Sequence, residues 1–223
     1  IDPGFFLGEN PIPDSRESQQ FVGSQIEIVS DTEVRGYSRI RGGWNNGRAY
    51  TVYFWAVFDQ PIAKYVTWKD GKFYSNQSAQ FDSGKKTAAL LSFGKDGKQE
   101  LNIKIGISFL SELKAKNNIE VEIPHWNFTT VLSSLENKWD LLLSRIKLST
   151  DTSDEYKKMF YTGLYHTMIM PVDRTGENPL WTNEEPYYDD FYTIWDTFRT
   201  SSPLITLIDS KRNVEIINAM LNI

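Results

Sequence analysis

Apolar and polar residues alternate from about residue 21 to 107, and the period then lengthens to three and four. Residues 25–30 and 33–41 alternate as short strands, the second closed by Gly42-Gly43 and a turn at 45–47. Residues 49–58 (AYTVYFWAVF) are apolar on nearly both faces, as in a strand covered on both sides. Gln60-Pro61 breaks that strand, and 63–68 runs into Lys69-Asp70-Gly71-Lys72, where Asp-Gly signals a hairpin. Residues 86–93 and 100–107 read as another hairpin around 94–97. Strands at this spacing predict an all-β sandwich.

Ser111 is placed to cap a helix that stops before Pro124, and Asn127 to cap the next. Val131, Leu135, Trp139, Leu142, Leu143 and Ile146 recur at helical spacing. A third helix begins at Asp154 with the stripe Tyr156, Phe160, Leu164, Tyr165 and Met168, and Met170-Pro171 ends it. Residues 171–190 read as a polar, irregular loop. Helices follow at about 194–208 and 210–222, with Pro203 restarting the first. The order, β first and then α, predicts a multidomain α+β chain. Its parts are a sandwich at 1–108, a helical linker at 109–150 and the start of a helical domain at 151–223.

Composition narrows the partners. The net charge of −5 argues against a nucleic-acid backbone. Cysteine is absent, so there is neither a disulfide framework nor a thiolate metal site. No run of about 18 apolar residues suggests a membrane span, and residues 1–15 lack the pattern of a signal peptide. The aromatic share of 14%, with 7 Trp and 11 Tyr, suits both carbohydrate-active proteins and β-sandwiches.

The densest chemistry lies in 191–208, FYTIWDTFRTSSPLITLI, which holds Trp195, Asp196 and Arg199. Three residues apart, Asp196 and Arg199 would share a helix face. A ring covers the C–H face of a sugar while a carboxylate accepts from neighbouring hydroxyls. The other reading is a half-buried ion pair beside a core tryptophan, with Asp196 stabilising its own helix start. Glu184, Glu185, Asp189 and Asp190 read as a solvated rim, because glycoside hydrolysis needs carboxyl groups on opposite sides of the bond. Trp181, Tyr187 and Tyr188 are candidates for an aromatic pocket wall. His166 reads as a packing residue and His125 as surface, and the two lack metal-ligand spacing. The Gly-rich stretch 42–47 precedes no helix, which excludes a phosphate loop.

WDTFRTSSPLITLI at 195–208 resembles glycoside hydrolase family 92, the calcium-dependent exo-acting α-mannosidases. Three further stretches resemble it in the same order: 40–62 (IRGGWNNGRAYTVYFWAVFDQPI), 104–128 (KIGISFLSELKAKNNIEVEIPHWNF) and 160–171 (FYTGLYHTMIMP). Ser202 stands where the family often has His before the proline. The resemblance covers roughly 20–223. It implies the later part of an N-terminal β-sandwich, a linker, and the first helices of an (α/α)6 catalytic barrel. It places Asp196 at the subsite of the terminal mannose; Trp195 and Arg199 complete the candidate substrate-binding set, the ring facing either the sugar or the core and Arg199 acting chiefly as the partner that orients Asp196. It implies inverting hydrolysis of terminal α-mannose, α-1,2-linked in the first instance, from a mannose-containing glycan. The catalytic acid, the base and the calcium ligands are expected outside residues 1–223, so the piece alone is expected to be inactive and to pack against the rest of its catalytic domain. A periplasmic or extracellular bacterial location follows from the resemblance alone. Two other readings stay open. One is a non-catalytic sandwich that binds carbohydrate through exposed aromatic platforms. The other is a different glycosidase or phosphorylase of the same layout.

Overall fold

The computed structural model describes residues 1–5, 19–42, 47–94, 100–180, 185–191 and 193–221. It divides into two compact units, Ile1–Trp126 and Asn127–Ile223. The first is built on eight strands: β1 (Gln19–Ile28), β2 (Glu33–Gly42), β3 (Tyr50–Phe58), β4 (Ile62–Lys69), β5 (Lys72–Tyr74), β6 (Ala79–Asp82), β7 (Thr87–Phe93) and β8 (Ile103–Ser108). They form a five-stranded sheet, β6-β1-β2-β3-β8, and a three-stranded sheet, β5-β4-β7. Every pairing is antiparallel.

The core lies between the sheets. Ile26, Val34, Ala56 and Phe58 from the larger sheet meet Ala89 from the smaller, with Phe54, Leu91 and Phe93 around them. Two buried polar contacts also join the sheets. The Ser24 and Thr87 hydroxyls lie 2.8 Å apart, and Gln80 Nε2 donates to Thr67 Oγ1 at 3.0 Å. The Asp-Gly turn forms as its sequence demands. Asp70 and Gly71 have φ of 50° and 78°, and a Cβ on Gly71 would meet nothing, so the conformation alone calls for glycine.

The expected hairpin of 86–93 with 100–107 does not form. β7 pairs with β4 and β8 pairs with β3, so the chain crosses from one sheet to the other between them. The connecting residues 95–99, like residues 45 and 46 of the turn expected at 45–47, lie outside the described residues.

Helix α1 (Glu112–Glu122) lies on the outer face of the larger sheet. Ser111 caps it by accepting from Lys114 N at 3.0 Å. Ala115 and Ile119 bury Trp55, which is 3% exposed. Ion pairs fasten its flanks: Glu112 reaches Arg35, itself paired with Glu27, and Lys116 reaches Glu33 at 3.1 Å. At its last turn, Lys104 Nζ donates to Ile123 O at 2.7 Å, where the helix dipole favours a cation.

The second unit holds α2 (Phe128–Leu143), α3 (Asp154–His166), β9 (Val172–Asp173), β10 (Tyr188–Asp189), α4 (Ile194–Thr197), α5 (Ser201–Ile208) and α6 (Ser210–Leu221). Asn127 caps α2 through Thr130 N at 3.0 Å, and Ser153 caps α3 through Tyr156 N. The stripe on α2 is amphipathic, yet none of its residues is fully buried. On the α3 stripe Leu164 and Met168 are buried, while Tyr156 is 62% exposed. Helix α3 stops at His166, earlier than Met170-Pro171, and beyond its end Arg212 donates to the Met168 and Pro171 carbonyls. The expected irregular loop at 171–190 contains a small hairpin, with Tyr188 opposite Asp173 and Asp189 opposite Val172.

Candidate functional site

Residues 193–200 fold as a single helical turn rather than a long helix. Helix α4 spans only Ile194–Thr197, and α5 restarts at Ser201 with Pro203 in its first turn, where a missing N–H costs nothing. The break undoes the expected shared face of Asp196 and Arg199. Arg199 lies beyond the end of α4, and its guanidinium sits 5.1 Å over the Phe198 ring. Among the described residues no ion pair joins it to Asp196. The Asp196 side chain instead accepts from the Thr193 hydroxyl, and Thr200 Oγ1 donates to the Asp196 carbonyl at 2.9 Å.

Trp195 is 76% exposed and Asp196 is exposed beside it. The tryptophan is therefore not a core residue of this unit. An exposed ring next to an exposed, oriented carboxylate can engage a ligand with an apolar face and vicinal hydroxyls.

The neighbouring acidic segment does not behave as a free rim. Arg174 pairs with both Asp189 and Asp190, whose side chains are about half exposed. Tyr187 OH donates to Asp189 Oδ2 at 3.4 Å, and burial foremost, then Asp189, pushes its pKa up. Glu185 is exposed, and Trp181 and Glu184 lie outside the described residues. Tyr188 is 4% exposed and packs with Ile216 and Ala219. His166 and His125 are both exposed. Among the described residues no three His, Asp or Glu side chains group to hold a metal ion.

Two groups escape the sequence reading, Arg212 and Glu215 on α6, whose only signal is their i,i+3 spacing. They line a cavity of about 550 Å³ with Trp139, Tyr165, Asp173 and Tyr188. Tyr188 OH donates to Glu215 Oε2 at 3.1 Å. Burial foremost, then the carboxylates of Asp173 and Glu215, raises the Tyr188 pKa far above its ordinary 10.0. A group whose folded pKa is raised contributes stability that is complete below its unfolded pKa and fades above it. Stability of this unit is therefore expected to fall by about 1.4 kcal/mol per pH unit once pH exceeds 10. Tyr188→Phe should lessen that slope, leaving the share of Tyr187, and cost about 1 kcal/mol at neutral pH, for one lost hydrogen bond. Urea unfolding followed by circular dichroism at pH 7 and above 10 checks both; an unchanged alkaline slope in the variant would assign it to other groups.

Comparison with known proteins now adds to this geometry. The family model described as the glycosyl hydrolase family 92 N-terminal domain matches residues 10–108, and that of its catalytic domain matches 114–223. The chain belongs to glycosyl hydrolase family 92. A protein of the fungus Arthroderma benhamiae, described as an uncharacterized secreted glycosidase, is 40% identical over 107 residues, 47% of this chain and 14% of its own length. The α-mannosidase BT3965 of Bacteroides thetaiotaomicron superposes with a TM-score of 0.77 at 25% identity over 91% of this chain and 28% of that one. The inverting mannosidase BT2199 of the same organism gives 0.69 at 25% identity, over 83% of this chain and 26% of that one. The chain thus spans about a quarter of the length of these solved relatives. They share its layout, a sheet-rich N-terminal part followed by helices. No helix among the described residues is long and apolar enough to cross a membrane.

Proposed function

We propose that the chain is part of an exo-acting, inverting α-mannosidase that removes terminal α-mannose, α-1,2-linked in the first instance, from a glycan. The observation that carries this is the exposed Trp195-Asp196 turn in a family 92 chain whose solved relatives are mannosidases, one of them in complex with mannoimidazole. In this reading the Asp196 carboxylate, oriented by Thr193, accepts from hydroxyls of the terminal sugar. The Trp195 ring covers an apolar face of that sugar, and Arg199 donates from the same turn. Inversion needs a carboxylic acid to protonate the leaving oxygen and a carboxylate to activate water on the opposite face. Both lie outside residues 1–223, as do the ligands of the calcium ion on which the whole protein depends. In this reading a sandwich at 1–108 is joined by a linker at 109–150, whose helix α1 docks on the sandwich, to the start of an (α/α)6 barrel at 151–223 that packs against the rest of its domain. A glycan substrate fits an exported protein, and the secreted description of the fungal relative supports that placement.

The test is a panel of α-linked mannobioses given to the protein expressed from its full reading frame. Free mannose as the sole product from at least one linkage is expected. No mannose from any linkage would overturn the proposal.

A further inference from the structure

We infer that the open half of the sandwich is a docking surface for strands of the same polypeptide from outside residues 1–223, the first of which runs antiparallel along β7 and leads into Ile1. This goes beyond the activity proposed above and does not depend on it.

The two sheets are unequal, five strands facing three. Buried contacts show how they overlap. Gln80 of β6 meets Thr67 of β4, and Ser24 of β1 meets Thr87 of β7. A step from β6 to β1 in the larger sheet thus matches a step from β4 to β7 in the smaller. Continued past β7, the same step leads over β2, β3 and β8, where the smaller sheet has no further strand among the described residues. The uncovered residues are apolar. Ile103, Ile105 and Ile107 of β8 lie directly opposite Phe58, Ala56 and Phe54 of β3. Directly opposed residues share a face, and this one carries the core. Phe58 and Ala56 are buried, whereas each isoleucine is about half exposed. A contiguous apolar row of this kind marks an interface.

The sheet edge that borders the gap is already paired at one end. Ile1 N donates to Ala89 O at 2.8 Å, and Ala89 N donates to Ile1 O at 2.9 Å. This mutual exchange is the mark of two residues directly opposed in antiparallel strands. Because Ala89 turns both peptide groups away from β4, Leu91 and Phe93 turn theirs the same way. Among the described residues no backbone partner meets them there. A strand satisfies the β7 edge and extends the smaller sheet towards the isoleucines in one move. A helix or loop laid on the isoleucines would leave that edge open. Two observations assign the strand to this polypeptide. Ile1 already holds the first place in the ladder, and the chain spans about a quarter of the length of its solved relatives.

The Ile1–Ala89 pair fixes the register. Counting back in the full reading frame, the residue before Ile1 falls opposite Leu90 and the third before it opposite Ser92. These are non-hydrogen-bonded positions, where Cα atoms approach to about 4.5 Å, within reach of a disulfide. The test uses the protein expressed from its full reading frame. Ser92→Cys, at an exposed position, is combined with a cysteine at the third residue before Ile1. A second variant moves that cysteine to the second residue before Ile1, whose side chain points to the other face. After air oxidation, peptide mass spectrometry is expected to find at least tenfold more intramolecular bridge in the first variant. Ile105→Cys, made alone, is expected to react with a maleimide at least tenfold more slowly in the native protein than in urea. Equal bridging in the two registers, bridges between two copies instead of within one, or equal labelling of Ile105→Cys with and without urea would each overturn the inference.

Discussion

Asp196→Ala, made in the full reading frame, is expected to lower kcat/KM on α-mannobiose by about a hundredfold or more. A charge-assisted hydrogen bond contributes about 1.5–3 kcal/mol, and a carboxylate gripping two hydroxyls of a reacting sugar makes two. About 2.7 kcal/mol is already a hundredfold in rate. The fold should not suffer. Asp196 is exposed and its side chain is held by the Thr193 hydroxyl alone among the described residues. The thermal midpoint should therefore move by less than about 2 °C, as for a surface substitution. Asp196→Asn keeps one acceptor oxygen and should fall between the two. A variant with the parent's rate would make Asp196 architecture.

Gly106→Ala is expected to be a strongly damaging small change in the first unit. A Cβ there would stand 2.1 Å from the Ala115 carbonyl oxygen and 2.7 Å from Ile119 Cγ1. The first of these is helix backbone and cannot swing aside, so α1 must lift from β8. That would uncover Trp55 and strain the Arg35–Glu112 and Lys116–Glu33 pairs. Overpacking of this kind costs about 3 kcal/mol, roughly a 10 °C drop in the midpoint of a domain this size. Gly163→Ala is the contrast. Its Cβ would meet nothing within 4 Å in α3, so it should be neutral or stabilise by about 0.5–1 kcal/mol. Melting curves of the two variants check the pair, and a Gly106→Ala midpoint equal to the parent's would contradict the packing described for α1.

Local signals were the legible ones. Ser111 and Asn127 cap where their sequence placed them, each accepting from the third backbone N–H of its helix. Asp70-Gly71 makes its turn because Asp-Gly is among the few dipeptides that take two positive φ values cheaply. Tertiary choices were not legible. In β8 the apolar residues Ile103, Ile105 and Ile107 are exposed while Lys104, Gly106 and Ser108 are covered. Within residues 1–223 the alternation there predicts the wrong covered face, since α1 settles on the side where glycine leaves room. The partner of β8 was equally hidden, because β7 and β8 are close in sequence but belong to different sheets.

The site shows the same split. The family resemblance picked out 195–199, and the chain belongs to that family. Spacing could not foresee that the helix would break after one turn and send Arg199 over Phe198. Nor could it separate Tyr188, buried against α6, from Tyr187 beside it.

The measurement that bears most directly on the account is mannose release from α-1,2-linked mannobiose by the protein from its full reading frame, with calcium present and after chelation. The account predicts steady release of free mannose with calcium and its loss, by at least tenfold, on chelation. No release with calcium, on this or any other α-linkage, would contradict it and leave Asp196 and Arg199 as features of a turn.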